Sequence, residues 1–240
     1  MEQGWSIYSN ALIEGVHIVL DGSIDVWTIV FTSLRTSVVA VLLALVIGIP
    51  TGFIVGTKRF VGRRIALIIF NAGMGLPPTF VGLLVAMALS RRGPFGDYSL
   101  LYSQSAMIIA QIIIATPIVM AITAAAASAV PKQLRLQAAA LGAQQWRVAL
   151  LTLKEARMGL LAAVAGGFGS IISEVGAVQM VGGNLEGQTR VMTTAIVMYT
   201  RQGRYGISLI LALILMSLVI AVNIIITRMQ TSAEKWEGSK

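Results

Sequence analysis

Few side chains in this sequence could do bond chemistry. His17 is its one histidine and cysteine is absent. That excludes thiolate nucleophiles, disulfides, Cys/His metal sites and the HExxH pattern. Nothing resembles a Ser/His pair, and no GxxxxGK[ST] phosphate loop occurs. Ligand-suited chemistry is therefore left to charge. Arg35, Arg91, Arg92, Arg190, Arg201 and Arg204 carry planar guanidinium forks, which match oxyanions and carboxylates through paired hydrogen bonds. Ordinary surface or salt-bridge roles suit each of them singly. Glu174 is the one carboxylate within a predicted span, where a charge asks for a partner. It could pair with Arg190 or Arg35 and pin an external loop as a gate, or it could reach water at the interface. Like charge argues against it as an anion ligand.

A second feature is mechanical. Residues 131–158, PKQLRLQAAALGAQQWRVALLTLKEARM, interrupt two membrane-grade apolar segments and set Lys132, Arg135, Arg147, Lys154 and Arg157 against Glu155 alone. Such a loop belongs on the cytoplasmic side. Leu134, Ala138 and Leu141 recur at helical spacing, and Trp146, Leu150 and Leu153 begin another apolar stripe. The spacing predicts two short amphipathic helices meeting at Leu141-Gly142-Ala143. The knob could dock in a groove of a partner or rest on anionic lipid.

These features need a frame, and composition supplies it. With 56% hydrophobic residues, 12% charged and a mean hydropathy of +0.83, the 240-residue chain is a polytopic, all-α membrane protein. The net charge of +8 borders apolar spans and no basic-aromatic module is visible, so topology explains it and nucleic acid is not an expected partner. Glu2, Glu14, His17 and Asp21 argue against a cleavable signal.

Residues 8–20 read as an interfacial helix, with Ser23 or Asp25 capping the next one. Span 1 covers about 26–55, where Gly48, Gly52 and Gly56 form overlapping GxxxG patterns and Pro50 should bend the helix. Arg35 snorkels at its outer end or is a buried functional charge. Span 2, about 65–89, is broken near Gly73, Gly75, Pro77 and Pro78. Span 3, about 105–129, contains Pro117. Span 4, about 159–181, carries the small stripe Gly166, Gly169, Ser170 and Ser173, suited to helix packing or pore lining. Residues 182–206 return outside with one short helix, and span 5 covers about 207–227. Thr79, Thr116 and Thr123 near the breaks are candidates to hydrate a path, or to bond back to their own helices. Five spans with the N-terminus out and the C-terminus in leave 12 of 18 Lys and Arg inside, but only Glu155, Glu234 and Glu237 of ten acidic residues. The whole chain, 1–240, is expected to be a single transmembrane domain, with 1–25 external or interfacial, 131–158 cytoplasmic and 182–206 external.

The string Gln137-Ala138-Ala139-Ala140-Leu141-Gly142-Ala143 resembles the "EAA" loop of ATP-binding-cassette (ABC) importer permeases, whose coupling helix sits in a cleft of the ATPase. Aligned on Gly142, the family's Glu falls at Leu136, its first Ala at Gln137 and its downstream Pro at Glu155. Leu76-Pro77-Pro78-Thr79-Phe80-Val81-Gly82, Arg91-Arg92-Gly93-Pro94, and Glu174-Val175-Gly176-Ala177 with Gly182-Gly183-Asn184 look like the molybdate and tungstate permeases. Thr189-Arg190-Val191-Met192-Thr193-Thr194-Ala195-Ile196 is similar to the tungstate type. The resemblance implies a type I importer permease fold in the cytoplasmic (inner) membrane of a prokaryote. It also implies a homodimer that binds two cytoplasmic ABC ATPase subunits and takes a tetrahedral oxyanion from an external binding protein, which supplies most of the selectivity. ATP and Mg would sit on the ATPase, leaving this chain without cofactor, metal or catalytic residue. Ala138, Ala139, Leu141, Gly142 and Ala143 would couple to the ATPase. Glu174, Gly176, Gly182, Gly183, Asn184 and Arg190 would form the gate and external loop, and Pro50, Pro77, Pro78, Thr79 and Pro117 the helix breaks and pore.

Other classes fit less well. An ion-coupled secondary transporter would show repeated halves and paired mid-membrane charges. An embedded enzyme lacks its residues, and a passive scaffold leaves the prolines and glycines without purpose.

Overall fold

The computed structural model describes residues 2–22 and 24–237, and every regular element among them is helical. Helix α1 (Glu2–Asp21) precedes α2 (Val26–Thr57), and α3 (Arg63–Met74) is followed by α4 (Pro78–Leu89). After a single 3-10 turn at Gly96–Tyr98 come α5 (Gln104–Ala129), α6 (Lys132–Ala140) and α7 (Gln145–Glu155). The remainder is α8 (Arg157–Ile172), α9 (Gly176–Gly182), α10 (Met192–Arg201) and α11 (Tyr205–Glu237). Among the described residues three helices are long and apolar enough to cross a membrane, namely α2, α5 and Tyr205–Thr231 of α11. Counting α3 with α4 and α8 with α9 as bent spans gives five.

The prolines act as their positions dictate. Gly75 and Pro77 end α3, Pro78 opens α4 where its missing N–H is harmless, and the chain turns by 97° between them. Helix α2 runs through Pro50 and α5 through Pro117, so neither residue is a break, contrary to the expectation from their type. Span 4 is also corrected: α8 stops at Ile172 and the chain turns by 56° before α9. The expected cap at Asp25 is present, since the Thr28 hydroxyl and amide both donate to its carboxylate. Those bonds hold Asp25 below the ordinary carboxylate range. Its contribution is complete above the unfolded value of about 3.9 and is lost as pH falls below that. Ser23 lies outside the described residues.

The chain divides into two compact units. The first comprises Met1–Ala40, Pro77–Gln111 and Ile172–Val222. Its apolar centre joins Val26, Ile29 and Val30 of α2 to Met192, Ala195 and Tyr199 of α10 and Ile207 and Leu211 of α11. Helix α1 closes on α11 at backbone distance, because a Cβ on Gly15 would lie 2.6 Å from the Gly206 carbonyl oxygen. The second unit comprises Val41–Leu76, Ile112–Ile171 and Asn223–Lys240. Here the glycine ladder of α2 meets α5. A Cβ on Gly48, Gly52 or Gly56 would stand 2.6, 2.5 or 2.6 Å from Val119, Met120 or Ala124. Val55, Phe70 and Ala121 form a small core beside it. The span-4 stripe is used only in part: Gly166 faces the Ile122 side chain, whereas a Cβ on Gly169 would meet nothing within 4 Å.

Candidate functional site

The external-loop residues from Glu174 to Arg190 lie in the first unit and the knob residues from Ala138 to Ala143 in the second. In the first unit, α4 and α9 approach closely because both present glycine. A Cβ on Gly82 would lie 2.6 Å from the Ala177 Cα, and one on Gly176 would lie 2.7 Å from the Thr79 Cγ2. A Cβ on Gly182 would fall 2.8 Å from the Met107 sulfur. Gly183 and Asn184 then adopt left-handed φ values of 70° and 54°, the conformation that glycine and asparagine tolerate best, and reverse the chain.

Hydroxyls tie down the loop that follows. Thr189 Oγ1 donates to the Gly182 carbonyl at 2.5 Å and accepts from the Leu185 amide at 2.9 Å. Thr194 Oγ1 donates to Asn184 Oδ1 at 2.8 Å, and the Asn184 amide group reaches the Met198 sulfur at 3.3 Å. The Tyr102 amide donates to the Val181 carbonyl at 2.8 Å, and Gln104 Nε2 to the Gln188 carbonyl at 2.8 Å. Ser33, buried on α2, accepts the Met192 amide at 2.7 Å and so fixes the start of α10. Sequence reading passed over Ser33; a serine in an apolar stretch gives no signal until its partner, 159 residues away, is known.

Glu174 pairs with neither Arg190 nor Arg35. It lies in the break between α8 and α9, where its Oε1 accepts the Ala177 amide at 2.9 Å and its carbonyl accepts Thr193 Oγ1 at 2.8 Å. A carboxylate there satisfies a first-turn N–H and the positive end of the helix. Arg190 instead meets Glu186 one turn back at 3.4 Å. It also donates to the Tyr199 hydroxyl at 3.4 Å, and its guanidinium lies 5.9 Å from the Tyr199 ring centroid, with Arg204 at 5.1 Å. Arg190 is thus bound into the loop, while Arg35, Arg91, Arg92 and Arg201 are exposed. Since a glutamine oxygen can accept the same amide, Glu174→Gln should unfold within about 0.5 kcal/mol of the parent, whereas Glu174→Ala should lose about 1 kcal/mol. Denaturation in detergent, read by tryptophan fluorescence, distinguishes these outcomes; an equal loss in both would restore a role for the charge.

Two hydration candidates, Thr116 and Thr123, lie in the second unit. Thr116 Oγ1 donates to the Ile112 carbonyl at 2.6 Å, and Thr123 is buried against Gly52. The Thr123 hydroxyl has no hydrogen-bond partner among the described residues.

The knob is built as expected. Helix α6 ends in a turn that its own main chain closes: the Ala143 amide donates to the Ala138 carbonyl and the Gly142 amide to the Ala139 carbonyl, both at 3.0 Å. This is a Schellman motif, and it requires the left-handed φ of 81° at Gly142. Trp146 at the start of α7 donates to Gln144 Oε1 at 2.6 Å and carries Arg147 5.2 Å from its ring centroid. Leu136, Trp146 and Leu150 are exposed, and Leu141 at the tip is 89% exposed.

Residues 48–235 match the family described as binding-protein-dependent transport system inner membrane component. The chain belongs to this family. It is a multi-pass inner-membrane protein, an ABC permease by kinship. It is 39% identical over 201 residues to a "Probable anion ABC transporter permease protein" of Haloferax volcanii, covering 82% of this chain and 87% of that one. It is 37% identical over 206 residues to the tungstate uptake system permease protein of Peptoclostridium acidaminophilum, covering 86% and 90%. The molybdenum transport system permease protein of Escherichia coli K12 is 28% identical over 182 residues, covering 72% and 79%. In fold, the permease matches a chain of the inward-facing MetNI methionine ABC transporter with a TM-score of 0.69, at 19% identity and over 85% of this chain and 93% of that chain.

Proposed function

We propose that this permease is the membrane-spanning, non-catalytic subunit of an ATP-driven importer for a tetrahedral oxyanion of the tungstate or molybdate type. It acts as a homodimer, with two separate ATPase subunits gripping the knob at 131–158 and an external binding protein delivering the anion. The observation that carries this reading is the Gly142 turn: a main-chain-closed corner that holds an apolar tip, Leu141, clear of its own protein. The kinship with tungstate and anion permeases supports the substrate class. Closure of the ATPases on ATP would move the two knobs together and turn the pore outward. Ala138, Ala139 and Ala143 let the partner's surface approach the knob closely, and Gly142 sets its angle. The Glu174, Gly176, Gly182, Gly183, Asn184 and Arg190 loop serves as the external gate, the Pro77-Pro78 break with Thr79 as the place where the pore bends. Divalent charge and shape recommend the outer arginines for steering the anion inward.

Purification of the tagged chain with whatever ATPase accompanies it tests the proposal. Tungstate with its binding protein should raise ATP hydrolysis by the reconstituted complex. Tungstate uptake by proteoliposomes that hold this chain alone would instead identify an ion-coupled transporter.

A further inference from the structure

Where α2 ends and α6 begins, the second unit holds a cavity of about 540 Å³. Lys58, Arg59, Arg63, Lys132 and Arg135 line it, and none of its lining residues is acidic. Two of these cations already serve α2. Arg63 Nε donates to the Val55 carbonyl at 2.8 Å and an Arg135 terminal nitrogen to the Thr57 carbonyl at 3.3 Å. They satisfy the orphan carbonyls at the helix's negative end.

Three observations then point to one kind of ligand. Arg135 Nε is buried with no hydrogen-bond partner, a donor in want of an acceptor. Pro131, which precedes α6 and lines the cavity, offers no side-chain cap, so the first amides of α6 lack a side-chain acceptor there. Lys58, Arg59 and Lys132 add exposed charge of the same sign, which repels itself unless an anion lies between. Guanidinium forks, ammonium groups and an uncapped helix start are together the donor set of an oxyanion site. The volume falls within the range of about 300–1,000 Å³ found for small-molecule sites, so there is room for more than a bare tetrahedral ion.

We propose that this cavity binds a phosphate-type oxyanion group, carried by an anionic lipid headgroup or free in solution. The bound group would clamp the start of α6 to the end of α2 and stiffen the root of the knob.

The full-length chain in detergent is tested with phosphatidylglycerol against phosphatidylcholine, by native mass spectrometry, and separately with inorganic phosphate, by calorimetric titration. The variant K58Q/R59Q/K132Q removes three of the cavity's five cations while leaving the Arg63 and Arg135 caps in place. The variant R64Q/R147Q/R228Q removes equal charge from exposed positions that do not line the cavity. We expect retention of one probe to fall about tenfold or more in the cavity variant and to stay within about twofold in the other. Loss confined to phosphatidylglycerol identifies a lipid headgroup, and loss confined to phosphate identifies a free anion. Binding of neither probe by the parent chain, or equal loss in both variants, overturns the site.

Discussion

Gly52→Leu should abolish the folded permease. A Cβ at this position would lie 2.5 Å from the Met120 carbonyl oxygen, 2.9 Å from the Thr123 Cβ and 3.1 Å from the Met120 Cα. Two of these three atoms are backbone, so the obstruction cannot turn aside; α2 and α5 must separate. Overpacking costs about 1–3 kcal/mol where side chains can adjust, and more where helices must move apart. Set against a total stability of about 5–15 kcal/mol, and with the neighbouring contacts at Gly48 and Gly56 disturbed as well, most of the molecules should misfold. Fluorescence-detected size exclusion in detergent should show aggregated protein. Gly169→Ala is the matched control: its Cβ would meet nothing within 4 Å. That alanine should be neutral or stabilise α8 by about 0.5–1 kcal/mol. A monodisperse Gly52→Leu variant with an unchanged melting temperature would refute the close approach of α2 and α5.

Leu141→Asp should leave the permease folded and make the transporter inert. Leu141 is 89% exposed, so a charge there costs this chain almost nothing. An apolar anchor at the centre of an interface is another matter: truncating one costs about 2–4 kcal/mol, or roughly 30- to 1,000-fold in affinity, and burying an unpaired carboxylate costs more. The variant should keep its melting temperature but lose co-purification with the ATPase and oxyanion-stimulated hydrolysis. Gly142→Trp should behave alike for a different reason. The space around Gly142 is open, but an L-residue held at φ 81° costs roughly 1–2 kcal/mol and the corner opens. Full transport by either variant would show that the knob does not bear the coupling.

What was legible in the sequence divides along physical lines. Backbone rules carry far. Adjacent prolines after glycine end a helix wherever they occur, and three glycines spaced four apart on an apolar helix need a close neighbour. The α3–α4 break and a close helix contact at the end of α2 can be read in advance for that reason, although α5 as the partner cannot. Single prolines carry less: Pro50 and Pro117 do not end their helices, because one missing N–H can be accommodated in a long helix. The break in span 4 was missed because Ser173-Glu174-Val175 contains no breaker; only the bond from the Ala177 amide back to Glu174 marks a new helix start. The pairing of Glu174 with Arg190 failed because opposite charge alone does not choose a partner. Glu186 is one turn from Arg190, and proximity along the chain decided it. The basic cavity was invisible as a cavity, though its cations had been counted as topology signals.

The corner at Gly142 is closed by main-chain atoms, and only one of its positions demands a particular residue. Its contour is therefore insulated from drift in the letters around it. Leu136, Gln137 and Glu155 can stand where the EAA pattern has Glu, Ala and Pro while the corner keeps its shape. Loops that look unrelated by spelling can share this corner, and a search keyed to backbone handedness would find them where one keyed to side chains would pass them by.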